Sequence, residues 1–176
     1  QLQTFNVPFL QKAKLLGVDV HADRIITLGE FKTEKIIDPH VWRTLQIYIK
    51  QQHPKDIVVR WGRNLFVILS IADFIGSKIQ QLKKLSKLIR NLEESSGYKV
   101  SAGVSSRAPG SAFRQAFFKA ERSLKIALPS SGIIFDEDLK LEVLLDEVTP
   151  ETRLDYLSRT IQDLLPNEEL LKTLSM

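Results

Sequence analysis

The side chains able to do chemistry are few in type. The 176-residue chain contains no Cys, which excludes thiolate nucleophiles, thiolate zinc sites and disulfides. Its three imidazoles, His21, His40 and His53, are scattered, with no i,i+4 pair and no acidic cluster near them in sequence, so no metal is expected. Ser105-Ser106 and Ser130-Ser131 have no credible base nearby and read as strand or loop ends rather than nucleophiles. No nucleophile elbow, P-loop or dinucleotide fingerprint is present.

Two polar constellations remain. One is Arg60-Trp61-Gly62-Arg63-Asn64, set between the apolar runs 57–61 and 65–69. Arg60, Arg63 and Asn64 are candidate contacts for an anion, the arginines supplying charge and the amide a donor. The plainer alternative is a polar hairpin tip whose Gly62 serves turn geometry. The other is the basic helical face of Lys78, Lys83, Lys84, Lys87 and Arg90. Of these, Lys83, Lys84, Lys87 and Arg90 are the candidate DNA-proximal set, since such cations add salt-dependent affinity without reading sequence. The alternative is a solvated face.

The elements that must position these groups follow from changes of hydrophobic period. A short N-terminal helix carrying Phe9, Leu10, Ala13, Leu15 and Leu16 is expected to end at Gly17. Arg24-Ile25-Ile26-Thr27-Leu28 is β-branched and reads as a first strand. Pro39 opens a helix to about Gln52, with Val41, Leu45 and Ile49 spaced four apart. The runs 57–61 and 65–69 form a hairpin, and because both are nearly continuous, both strands are expected in the middle of a sheet covered on each face. A long amphipathic helix follows Gly76-Ser77 and ends at Gly97, then a strand over 98–105, a helix capped by Ser111, and a last short strand at 132–135. From Leu139 onward the pattern is helical. Alternation of this kind predicts an α/β (α+β) sandwich: a mixed antiparallel sheet of about five strands with flanking helices, plus a C-terminal helical segment.

Composition agrees with a globular chain: 43% apolar and 26% charged residues with net charge +4. No window reaches the roughly 18 consecutive apolar residues of a membrane span, and the N-terminus lacks signal-peptide order. A soluble cytoplasmic protein with no membrane contact is expected. The chain starts at Gln1 and its single Met is Met176, which reads as a piece of a longer polypeptide.

Arg60-Trp61-Gly62-Arg63-Asn64-Leu65-Phe66-Val67-Ile68-Leu69 resembles the R-Y-G-G-D-E-F-A-I-L hairpin of GGDEF domains, the diguanylate cyclases. Val100-Ser101-Ala102-Gly103-Val104 is similar to that family's V-S-I-G-V strand, and Ala120-Glu121-Arg122-Ser123-Leu124 to its A-D-x-A-L helix. Leu16-Gly17-Val18-Asp19-Val20, Phe135-Asp136-Glu137-Asp138-Leu139 and Glu169-Leu170-Leu171-Lys172-Thr173-Leu174 resemble the flanks of the GGDEF-like central domain in PucR-type regulators, among them the carbohydrate diacid regulators.

The resemblance implies three parts: an N-terminal helix and linker at 1–23, a GGDEF-like domain at 24–136, and a helical segment at 137–176 leading to a helix-turn-helix outside this chain. It also implies a degenerate site, Gly62, Arg63, Asn64, Leu65 and Phe66. The acid before the family's Phe becomes Leu65, its second Gly becomes Arg63, and the acid after that Gly becomes Asn64. Aligning the family's F-K pair with Phe31-Lys32 puts Thr27 where a metal-binding Asp would stand, with Asp19 and Asp23 as rivals. The product-inhibition R-x-x-D motif reads His53-Pro54-Lys55-Asp56, keeping only the acid. A Mg²⁺-dependent cyclase needs several hard oxygen ligands. The expectation is therefore a non-catalytic, cofactor-free regulatory domain, a homodimer that touches DNA only through another module. The rivals are a nucleotide or anion sensor at the hairpin and, last, an active diguanylate cyclase.

Overall fold

The computed structural model describes residues 15, 18–139, 151 and 152. The N-terminal helix about Phe9 and Leu10, and the helical segment expected over 140–176 apart from Glu151 and Thr152, lie outside the described residues. The chain divides into two compact units, Gln1–Asp138 and Leu139–Met176; every element below belongs to the first.

The elements run β1 (Arg24–Phe31), α1 (Pro39–Gln52), β2 (Ile57–Trp61), β3 (Leu65–Ile71), α2 (Lys78–Ser96), β4 (Val100–Val104), α3 (Phe113–Ala127) and β5 (Ile133–Phe135). The sheet order is β2-β3-β1-β4-β5, antiparallel throughout except for the parallel β4–β5 pair. The expected mixed five-strand α+β sandwich is what the chain forms.

Local chemistry explains the helix ends. The Asp38 carboxylate accepts from the His40 backbone N–H at 2.7 Å ahead of Pro39, satisfying a donor that the first turn leaves open. Ser77 and Gln80 form a reciprocal capping box, and Gly97 closes α2 in the left-handed region at φ 73°. The expected Ser111 cap is not formed. Gly110–Ala112 makes a 3₁₀ turn instead, and α3 starts after Ala112 with no side-chain cap.

Each face of the sheet has its own core. Helices α1 and α2 pack Val41, Trp42, Leu45, Leu88 and Leu92 against Phe31, Phe66, Ile68, Val100 and Val104. On the opposite face, α3 sets Ala116, Ala120 and Leu124 on Ile26, Leu28 and Val67. Fully burying each large apolar side chain stabilises by about 1.5–3 kcal/mol. The small residues of α3 let it approach closely: a Cβ at Gly103 would stand 2.1 Å from the Leu124 backbone nitrogen and 2.2 Å from the Ala120 carbonyl.

One expectation is overturned. β2 is not interior but the edge strand, and Val59 and Trp61 are 40% and 55% exposed. A continuous apolar run normally marks cover on both faces. Here α3 lies over β1 and β4 and meets this face of β2 at Trp61, whose ring centroid is 5.7 Å from that of Phe117, leaving Val59 exposed.

Candidate functional site

The hairpin tip is built from β2, the turn 62–64 and β3. Gly62 takes φ 90°, the positive region the turn requires. Arg60 donates from Nε to the Gly62 carbonyl at 2.9 Å, and its guanidinium lies 5.1 Å over the Trp42 ring. Arg60 is therefore tied to the hairpin and to α1. Asn64 is tied just as firmly, its amide nitrogen donating to the Phe31 carbonyl at 3.1 Å, the Thr33 carbonyl at 3.3 Å and Glu30 Oε1 at 3.2 Å. Of the three candidate anion contacts, only Arg63 stands exposed at the tip without a described partner. Phe66 is buried against Phe31, ring centroids 5.8 Å apart.

The strand register shows where the residues aligned with the family's metal-binding positions stand. Thr27 pairs with Ile68 and Leu65 pairs with Glu30. Side chains alternate along a strand and opposed residues share a face. Thr27 therefore faces the α1/α2 side and Leu65 the α3 side, so the two cannot converge on one ion. The rival acids sit at the wrong end of β1, about 24 Å from its other end at 3.4 Å per residue. There Asp19 accepts from the His21 N–H at 2.9 Å, and Asp23 bridges Arg107 at 2.8 Å.

The carboxylate that the fold does bring to the tip is Glu30, which the residue pattern alone did not single out. Only the β1–β3 register puts it opposite Leu65. Among the described residues no three His, Asp or Glu side chains gather where they could hold an ion. Glu30, already accepting from Asn64 and faced by a hydrocarbon side chain, does not make the multi-oxygen site Mg²⁺ requires; the residues present do not fit that ion.

Asp56, the retained acid of the inhibition motif, is 5% exposed and bonded inside the fold. It accepts from Ser70 Oγ at 2.7 Å and from the Ile71 N–H at 3.4 Å. It lines a cleft of about 60 Å³ with Thr27, Tyr48 and Gln81, where burial pushes the Tyr48 phenol above its usual pKa. His53 and Lys84 meet at the cleft mouth, Nε2 to Nζ 3.3 Å. Lys83, Lys84, Lys87 and Arg90 are all exposed on α2. Arg90 shares a surface hollow with Glu93 and Glu94, which offset its charge.

Two solved structures share this fold. The chain resembles the GGDEF domain of DgcB from Caulobacter crescentus, solved in complex with c-di-GMP, at 13% identity and TM-score 0.50, covering 73% of this chain and 84% of that one. It also resembles the active GGEEF domain of a diguanylate cyclase from Vibrio cholerae at 12% identity and TM-score 0.51, covering 72% and 88%. At these identities the likeness is one of fold. In sequence the chain is 28% identical over 175 residues to the uncharacterized protein YsfB of Bacillus subtilis (strain 168), covering 99% of this chain and 46% of that protein. The chain thus spans about half the length of its curated relative. Residues 5–126 match the family described as GGDEF-like domain, and with the fold and hairpin in agreement the chain belongs to that family.

Proposed function

We propose that this GGDEF-like domain is non-catalytic and regulatory: a homodimeric coupling domain of a cytoplasmic bacterial transcription regulator of the PucR type. In this reading it links an upstream sensor to a downstream DNA-binding module. The observation that carries the reading is the hairpin tip, where Leu65 faces Glu30 and the Asn64 amide is spent on holding the end of β1. Phosphoryl-transfer chemistry at that point would need metal-bound oxygens, and the tip offers one carboxylate. A coupling domain acts through a free-energy difference between domain arrangements, so its working surfaces are helix and strand faces. The greater length of the Bacillus subtilis relative is compatible with such partners in the same polypeptide. Lys83, Lys87 and Arg90 would then add only salt-screened attraction to nearby phosphates.

Incubation with GTP and Mg²⁺ tests the reading: no cyclic dinucleotide is expected, and its formation overturns the proposal. Sequence following residue 176 is the companion test, a helix-turn-helix supporting the regulator and its absence removing it. The exposed, unpartnered Arg63 favours a second reading, an anion sensor at the tip. Thermal shifts with GTP, cyclic di-GMP and sugar diacids decide it, because a ligand selective for the native state raises the apparent stability.

A further inference from the structure

The edge strand β2 combines two features that a free monomer seldom keeps. Its outer backbone side has no strand partner among the described residues. Its sequence, Ile57-Val58-Val59-Arg60-Trp61, is β-branched and aromatic, with no Pro, Lys, Gly or bulge, and its one charge, Arg60, lies over the Trp42 ring on the other face. Beside it, on the α3 face of the sheet, lies a largely apolar hollow of about 330 Å³ lined by Val59, Trp61, Val67, Leu69, Phe113 and Phe117, with Arg114 as its one charged wall. The Arg114 guanidinium lies 5.5 Å over the ring of Phe118, which is 52% exposed. Contiguous exposed apolar surface of this kind marks an interaction site.

We propose that β2 pairs antiparallel with β2 of a second copy of this chain, two-fold about Val59, joining two five-strand sheets into one. The strand is self-complementary in that register. Val59 would face its own copy and Ile57 would face Trp61, all on the α3 side, because opposed residues share a face. The two apolar hollows would then flank one continuous stripe. On the other side, Val58 would face Arg60, so no like charges are directly opposed, and each guanidinium is already drawn back over Trp42. An isologous contact of this type closes after two subunits and does not propagate. It also accounts for the sequence of β2, whose unbroken apolar run implies cover that no strand among the described residues provides. The pairing names a surface for the homodimer of the proposed regulator but does not require the domain to be non-catalytic. Nucleotide turnover tests that reading, and cross-linking tests this one.

The chain contains no Cys, so a single Val59→Cys places one thiol at the two-fold axis, where opposed Cβ atoms lie about 4.5–5.5 Å apart, close to disulfide reach. Under mild oxidation Val59→Cys is expected to form a covalent dimer on the order of tenfold faster than Ile79→Cys, a control on exposed α2 surface, because pairing raises the effective thiol concentration. The unmodified chain should sediment as a dimer, and folded Val59→Lys as a monomer. Equal cross-linking of the two cysteine variants, a strict monomer at millimolar concentration, or a dimer that survives in Val59→Lys overturns the proposal. Those are the results expected if another segment or protein covers β2. Should Val59→Lys fail to fold, the cysteine pair decides alone.

Discussion

Leu65 lies directly opposite Glu30 across the β1–β3 ladder, on the sheet face that carries α3. Leu65→Glu would set two carboxylates against each other at the position where like charges are most costly in a sheet, and would remove a partly buried leucine. A stability loss of about 1 kcal/mol is expected from the charge pair alone. Millimolar Mg²⁺ should restore part of it by bridging the two acids, while no GTP turnover is expected on the proposed reading because Arg63 and Asn64 are unchanged. Thermal melts with and without Mg²⁺ measure both effects. A variant more stable than the parent in the absence of metal would mean that the two side chains do not face each other.

Asn64 offers a sharper comparison, because replacing it by the acid of the hairpin it resembles should harm the fold. Its amide nitrogen donates to two backbone carbonyls and to Glu30. Asn64→Ala loses these bonds at a cost of about 1–2 kcal/mol. Asn64→Asp should cost more, since an anionic oxygen would then point at three acceptors. Urea unfolding ranks the two, and an aspartate variant as stable as the parent contradicts the role assigned to the amide.

Much of the fold was legible in the sequence because its signals are local. Pro39 and Gly97 mark helix ends through contacts a few residues away, and Gly62 marks the hairpin through the φ it must adopt. The site was legible only in part. Which acid stands opposite Leu65 depends on the β1–β3 register, a non-local fact, so Thr27 was aligned with a position whose side chain turns to the other face. The edge position of β2 was hidden for a related reason: an apolar run reports that cover is wanted but not which molecule provides it. Ser111 had the right chemistry for a cap, but the 3₁₀ turn at Gly110–Ala112 intervenes.

Gly103 should be intolerant of any side chain. A Cβ there would meet α3 backbone at Leu124 and Ala120, and backbone cannot rotate away as a side-chain tip can. Gly103→Ala is expected to cost about 3 kcal/mol, the upper end of the usual overpacking penalty. The loss should appear in equilibrium unfolding as a lower midpoint with an unchanged slope. A neutral result would mean that α3 stands farther from β4.

Tyr48 predicts the alkaline limb of the stability curve. Burial raises its phenol above 10.0. With the folded value above the unfolded one, the native state holds its proton longer. Its contribution is fully present below the unfolded value and is lost as pH rises through the folded one. Tyr48→Phe should flatten that part of the fall above pH 10, read as melting temperature against pH. An unchanged alkaline slope would count against burial of the hydroxyl.

At the far edge of the sheet, the Asp136 side chain is only 8% exposed and gathers two cations of α3: Arg122 Nη2 at 2.6 Å and Lys119 Nζ at 3.7 Å. Ser106 Oγ lies 3.4 Å from the same carboxylate and accepts from Lys119 at 2.8 Å. The network clamps the end of β5 onto α3. Asp136→Asn leaves both cations without their counter-charge, and because Arg122 and Lys119 are partly solvated the expected loss is about 1–3 kcal/mol, less than for a fully buried pair. β5 and β2 are the two ends of a five-strand sheet, roughly 19 Å apart at 4.8 Å per strand gap. Sites so distant add independently, so Asp136→Asn should lower the unfolding midpoint and leave Val59→Cys cross-linking unchanged. If cross-linking falls with it, the two edges are coupled through the sheet, and the β2 surface is not the autonomous contact its geometry describes.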